Sequence, residues 1–185
     1  MEWNRKKIKT LFDSIILNES KKCDEFINKL LEWTGGKNME LLYRGTRDGM
    51  SGDAFHNKCN NKGPTVSIIK NEKGYIFGGY TSINWQGGDS WRSAPDSFIF
   101  TLTNMYNIAP TKFPNTNSDS IHDYSSYGPT FGGGCDIHIH FNSGHFTNLG
   151  HSYKDVLGKG YSIFKGDNDN YKFNLKEIEV FKLIK

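Results

Sequence analysis

Residues 65–82 read TVSIIKNEKGYIFGGYTS. Thr65–Lys70 is dense in β-branched residues and predicts a strand. Asn71-Glu-Lys-Gly comes next as a turn, with Gly74 at a position suited to positive φ, and Tyr75–Ser82 returns as the second arm of a hairpin. The pattern continues outward. Ser97–Thr103 (SFIFTLT) alternates, with Phe98, Phe100 and Leu102 on one face. Asp136–Phe141, Tyr161–Phe164 and Ile178–Ile184 supply further strands. One helical island lies between, capped by Ser51 and ending near Asn60-Asn61. Many short strands without long alternating helices predict a β-rich α+β fold: a two-sheet antiparallel β-sandwich with a few flanking helices.

The first 36 residues differ from the rest of the chain. Ile8, Leu11, Phe12, Ile15 and Ile16 recur at helical spacing, as do Cys23, Phe26, Ile27, Leu30 and Leu31, with Ser20 the expected cap of the second helix. Gly35-Gly36 closes the region. The division expected is a helical region over 1–36 and a main domain over 37–185. The apolar stripe either packs on that domain or recruits a partner or a second copy. At the other extreme, residues 110–130 hold three of the five prolines and read as a long surface loop.

Composition narrows the function classes. A chain of 185 residues with 13 Phe, 9 Tyr and 4 Trp can bury one real core. Net charge is only +3, and the basic residues are scattered apart from Arg5, Lys6, Lys7 and Lys9, so there is no basic stripe of the kind nucleic acid requires. A helix-mediated dimer contacting nucleic acid through that basic start is the minority reading. Cys23, Cys59 and Cys135 are few, odd in number and far apart, which fits free thiols in a reducing compartment. With no signal-peptide core and no membrane-spanning run, the expected location is the cytoplasm or the nucleus.

The densest chemistry lies in 126–141, SYGPTFGGGCDIHIHF. Gly132, Gly133 and Gly134 do not make a phosphate loop: no lysine follows, an aspartate does, and the next element is a strand rather than a helix. A structural turn is the better reading. Strand alternation would put Ile137, Ile139 and Phe141 on the core face and Asp136, His138 and His140 on the other. Such a trio could hold zinc or iron if His145, His151 or His122 supplied a fourth ligand, although His-x-His also arises on exposed faces with no ligand role. Cys135 lacks an adjacent cation to lower its pKa. No cofactor is called for and no catalytic residue stands out, since a G-x-S-x-G elbow is lacking. Two polar and aromatic groups remain. Arg44, Arg47 and Asp48 crowd one turn, where guanidinium groups pin loops. Trp85 and Trp91 flank Gln-Gly-Gly-Asp-Ser, and with Tyr124 they are candidate partner-binding anchors on the 83–96 and 110–130 segments.

Six blocks occur in order: LLYRGTRDGMSGDAFHNKCNNKGPT, GYIFGGYTS, SFIFTL, SYGPTFGGGCD, NLGHSY and EIEVFKL. This set resembles the TLDc domain family over roughly residues 37–185. The resemblance implies a two-sheet sandwich and a role in protection against oxidative stress. For several members it implies binding to the vacuolar proton-pumping ATPase, and it carries no accepted reaction or catalytic residues. It also implies that the GPTFGGG block is an architectural turn. Cys135, His138 and His140 depart from the family pattern, so a redox or metal role for that strand would be particular to this chain. The reading this favours is a non-enzymatic protein-binding module. Its rival is a redox- or metal-active protein using the Cys135–His140 strand.

Overall fold

The computed structural model of the protein describes residues 12–167 and 169–185. The basic run at Arg5–Lys9, with Ile8 and Leu11, lies outside the described residues. The elements are α1 (Ile15–Asn18), α2 (Cys23–Thr34), β1 (Asn38–Arg44), α3 (Gly45–Asp48), α4 (Gly52–Cys59), β2 (Thr65–Asn71), β3 (Ile76–Thr81), β4 (Ser90–Arg92), β5 (Phe98–Thr101), β6 (Thr111–Pro114), β7 (Ile121–Asp123), β8 (Ile137–His138), β9 (His145–Thr147), α5 (Ser162–Lys165), β10 (Lys172–Phe173) and β11 (Leu175–Ile184).

Six strands form the main antiparallel sheet in the order β1-β11-β2-β3-β5-β6. The predicted hairpin is its centre, with Ile69 opposite Phe77 and Gly74 at φ 88° in the turn. Both faces of β3 are buried, because the sheet lies between two layers. On one side Val66, Ile68, Phe98, Phe100, Leu102 and Phe181 pack under Phe26, Ile27 and Leu30 of α2. On the other, Ile69, Phe77, Ile99 and Val180 meet a second layer. That layer joins β4-β7 to β10-β9-β8 through Phe131, which bridges to both Ile121 and Ile137. The protein is therefore an α+β sandwich with helices on the outer face of the larger sheet. Gly79 sets the distance between the layers, since a Cβ there would run into the Phe131 ring at 2.6 Å.

Several local expectations need correction. Ser51 caps α4 by accepting from the Ala54 amide (3.1 Å), but α2 starts at Cys23 and Ser20 instead accepts from the Lys22 amide in the turn before it. Tyr161–Phe164, expected as a strand, contributes to α5, which ends at left-handed Gly166. Residues 110–130 are not one loop: they contain β6 and β7. The strand at Asp136–Phe141 is only Ile137–His138.

The helical segment is fastened to the sheet by charge as well as by its apolar stripe. The fully buried Glu179 carboxylate accepts from Ser14 Oγ (2.5 Å), the Ile15 amide (2.9 Å) and Arg44 Nε (2.8 Å), and Arg44 also reaches Asp13 Oδ1 (3.0 Å). Asp48 turns the chain after β1. It accepts from the Arg44 amide (2.9 Å) and from Arg47 (2.7 Å), whose hydrogen bond holds the Asp48 carboxyl below its ordinary range against the opposing pull of burial. Arg44, Arg47 and Asp48 thus form one clamp at the end of β1. Truncating Arg44 strands a buried carboxylate, so Arg44→Ala should lower stability by about 3 kcal/mol, read from the urea midpoint. Arg47→Ala, at a side chain 43 % exposed, should cost well under half of that.

Candidate functional site

β4 and β7 pair with Trp91 opposite His122, so strand alternation turns both rings to the same side. They stack with centroids 4.1 Å apart and planes 11° from parallel. The flanking Asp123 points inward instead. Its carboxylate accepts from the Gln86 and Gly87 amides (both 2.9 Å) and from Arg92 (3.0 Å), which fastens the loop before β4. Beyond β7, the Tyr124 carbonyl lies 3.0 Å from His56 Nε2, and the Ser125 amide donates to Asp89 (2.8 Å). The segment carrying Tyr124 is therefore tied on two sides.

Tyr127 is the hub. Its ring meets His122 edge-on at 5.3 Å, Tyr124 at 4.8 Å, His138 at 4.6 Å and His140 at 4.9 Å. His138 lies 4.5 Å from Phe146, and Phe146 lies 5.6 Å from Tyr171. A continuous run of rings thus crosses the second layer from Trp91 to Tyr171. Both ends are half exposed, and Tyr124 is 38 % exposed between them. Two groups of residues that stood apart in the sequence, Trp91 with Tyr124 and His138 with His140, become one face.

Trp85 does not belong to it. Its ring is fully buried against Phe55 and Phe131, and its Nε1 donates to Thr65 Oγ1 (2.9 Å). A loop tryptophan expected as a surface anchor is instead a core residue, because its one polar atom finds a buried partner. Asp136 also leaves the expected trio. Its carboxylate accepts from four consecutive amides, Gly150 (3.0 Å), His151 (3.1 Å), Ser152 (2.9 Å) and Tyr153 (3.2 Å), rather than joining His138 and His140 in a ligand set. The glycine run makes room for this. A Cβ on Gly132 would strike the Asp136 carboxylate, one on Gly133 would crowd Asp119 and one on Gly134 would strike the His151 ring.

Chemically the face is quiet. Cys135, half buried at φ 57°, has its thiol pushed up to about 11 by burial and by Asp136, so it is not a thiolate at neutral pH. Burial of Cys59 raises its thiol as well. Among the described residues no group of three or more His, Cys, Asp or Glu side chains is placed to hold a metal ion. Of the other ligands considered, His122 stacks on Trp91, His145 lies against Phe173, and His151 sits 3.4 Å from Ser152 Oγ. What the face offers is ring area, with Nδ1 of His122 and His138 lacking any hydrogen bond among the described residues. Sequence reasoning missed Tyr127, Phe146 and Tyr171. The contacts that join them cross strand pairs and turns far apart in the chain, and no local signal marks them.

A family model described as TLDc domain matches residues 11–184, taking in α1 and α2 as well as the sandwich. The MTOR-associated protein MEAK7 of Danio rerio is 30 % identical over 77 residues, 42 % of this chain and 17 % of that protein. Interferon-induced protein 44 of Homo sapiens is 37 % identical over 54 residues, 29 % of this chain and 12 % of that protein. Each alignment thus spans less than a fifth of the relative's length. No helix among the described residues is long and apolar enough to cross a membrane.

Burial holds the His138 and His145 imidazoles down to about 4, and the nearby His140 adds to the effect. Burial lowers His122 too. Between an unfolded value of about 6.5 and the folded value, the unfolded chain binds protons that the folded chain excludes. This stability is therefore complete above the upper value and is lost as the pH falls toward 4. Asp136, raised by burial despite its four amide donors, acts in the opposite sense and offsets part of the loss. Moving from about pH 7 to about pH 5 should lower the unfolding free energy by on the order of 2 kcal/mol, followed by tryptophan fluorescence in urea. His138→Gln should flatten that slope.

Proposed function

The chain belongs to the TLDc domain family, and on that premise we propose that it is a non-enzymatic docking module that protects against oxidative stress by binding the vacuolar proton-pumping ATPase. The observation that carries the proposal is the run of rings from Trp91 to Tyr171, half exposed at both ends and fixed on a sandwich. Protein interfaces concentrate energy in tryptophan and tyrosine on rigid supports. Here Asp123, His56 and Asp89 hold the segments bearing Trp91 and Tyr124, so little ordering cost falls on association. The unreactive thiol of Cys135 weighs against direct peroxide chemistry, and the occupied carboxylate of Asp136 against a metal at His138 and His140. Action in the cytoplasm, on the exposed sectors of the pump, is part of this reading. The association with mTOR in the name of the zebrafish relative makes mTOR the alternative partner to test.

The test is binding to purified vacuolar ATPase, measured on an immobilised full chain. The double variant Trp91→Ala, Tyr124→Ala should weaken the interaction at least about tenfold. It should lower stability by only about 1–2 kcal/mol, because both side chains are partly exposed already. Unchanged binding by a folded double variant would remove the face from the proposal. Absence of binding by the wild-type chain would remove the pump.

A further inference from the structure

A second site lies beside the Tyr171 end of the aromatic run. An open cavity of about 270 Å³ is bounded by the turn between β2 and β3, the end of α5 and the β10 segment. Three lysines, Lys73, Lys165 and Lys172, line it against two carboxylates, Glu72 and Asp167, over an apolar floor at Phe173. Lys165 is the unusual one. Its side chain is 1 % exposed. An ammonium so far from water costs several kcal/mol unless a negative charge meets it.

The charge that meets it is Asp167, two residues further on, with Asp169 more distant at 3.7 Å. Lys73 reaches the same Asp167 carboxylate from the opposite wall. One carboxylate thus sits between two ammonium groups on separate elements, which is how an anion site looks when its occupant comes from the chain itself. The turn sets this up. Gly166 adopts φ 83° with the Tyr75 ring where a Cβ would stand, and the chain then places Asp167 in the cavity lining. Glu72 is turned to the wall, where the Asn174 side-chain amide donates to it (3.1 Å). With Asp167 rotated out, three lysines face two carboxylates, Glu72 engaged by Asn174 and Asp169 at 3.7 Å from Lys165 with a side chain 72 % exposed.

We propose that this cavity is a binding site for a phosphate group, with the Asp167 carboxylate as the internal stand-in that the phosphate replaces. Lysine ammonium groups are compact point charges that bind phosphate, and the second negative charge of a phosphate dianion lets it compete with the single charge of the Asp167 carboxylate. The volume admits a phosphate and a small organic body resting on Phe173.

Inorganic phosphate is titrated into the full chain at constant ionic strength, by calorimetry and by amide NMR shifts. Saturable binding should shift the amides of residues 71–73 and 165–174. Asp167→Asn, which removes the internal competitor, should tighten phosphate binding about tenfold, and Lys73→Ala should weaken it about tenfold. Lys73 is half exposed, so its truncation leaves the fold intact and provides a readout should Asp167→Asn unfold. A purely structural ion pair predicts the reverse for Asp167→Asn, no gain in phosphate affinity, and that result overturns the proposal. So do non-saturating shifts that are equal in wild type and Lys73→Ala. Glycerol phosphate separates the two sources of the group: tighter binding than inorganic phosphate assigns the site to a phosphate ester, and equal binding assigns it to free phosphate.

Discussion

The carboxylate of Asp136 gathers the amides of four consecutive residues, 150–153, beneath the glycine turn. Much of the second layer depends on that junction. On one side of it the chain runs into β8 and the rings of His138 and His140. On the other, Tyr153 carries its hydroxyl inward to donate to the Ser120 carbonyl (2.6 Å), just before β7 and His122. A buried charge that satisfies four donors at once is hard to replace, because losing it leaves several polar groups without partners in a dry interior. The three glycines belong to the same device. They are small because a carboxylate, an aspartate side chain and an imidazole occupy the space where their side chains would be.

The aromatic face owes its character to what surrounds it. Burial lowers the His122 and His138 imidazoles, the nearest thiol is kept protonated, and the nearest inward carboxylates, Asp123 and Asp136, are occupied with backbone amides and Arg92. The same burial that sets these protonation states leaves Trp91, Tyr124 and Tyr171 as the exposed rings of the face.

Much of the main sheet could be read from the chain because it is made of local signals. The 65–82 hairpin has its turn residues beside its strands, and Phe98, Phe100 and Leu102 do share the helix-facing side. The six family blocks carried the rest of the sandwich. Legibility failed where a local cap outweighs composition or where a long-range contact decides the outcome. Ser162–Lys165 has the composition of a strand but coils into a single turn, held by Ser162 Oγ donating to the Lys159 carbonyl (2.6 Å) and by the left-handed Gly166. Trp85 sits in a glycine-rich loop, yet Thr65 draws its indole inside. Alternation placed Ile137 and Ile139 correctly in the core. It misplaced Asp136, because the strand begins one residue later and the aspartate belongs to the turn. The run of ring contacts from Trp91 through Tyr127 to Tyr171 joins stretches far apart in the chain, which no short window along the sequence can bring together.

β11 lies between β1 and β2, although about 100 residues of chain separate it from β2. During synthesis, β1 emerges with its inner edge open, and so does the β2–β3–β5–β6 block. Neither edge can close until residues 175–184 leave the ribosome. The buried Glu179 arrives with that same strand, so α1 and Arg44 wait for their counter-charge as well. A chain that emerges in order therefore holds two unpaired strand edges until residues 175–184 are made, the kind of species in which edge-to-edge association competes with folding.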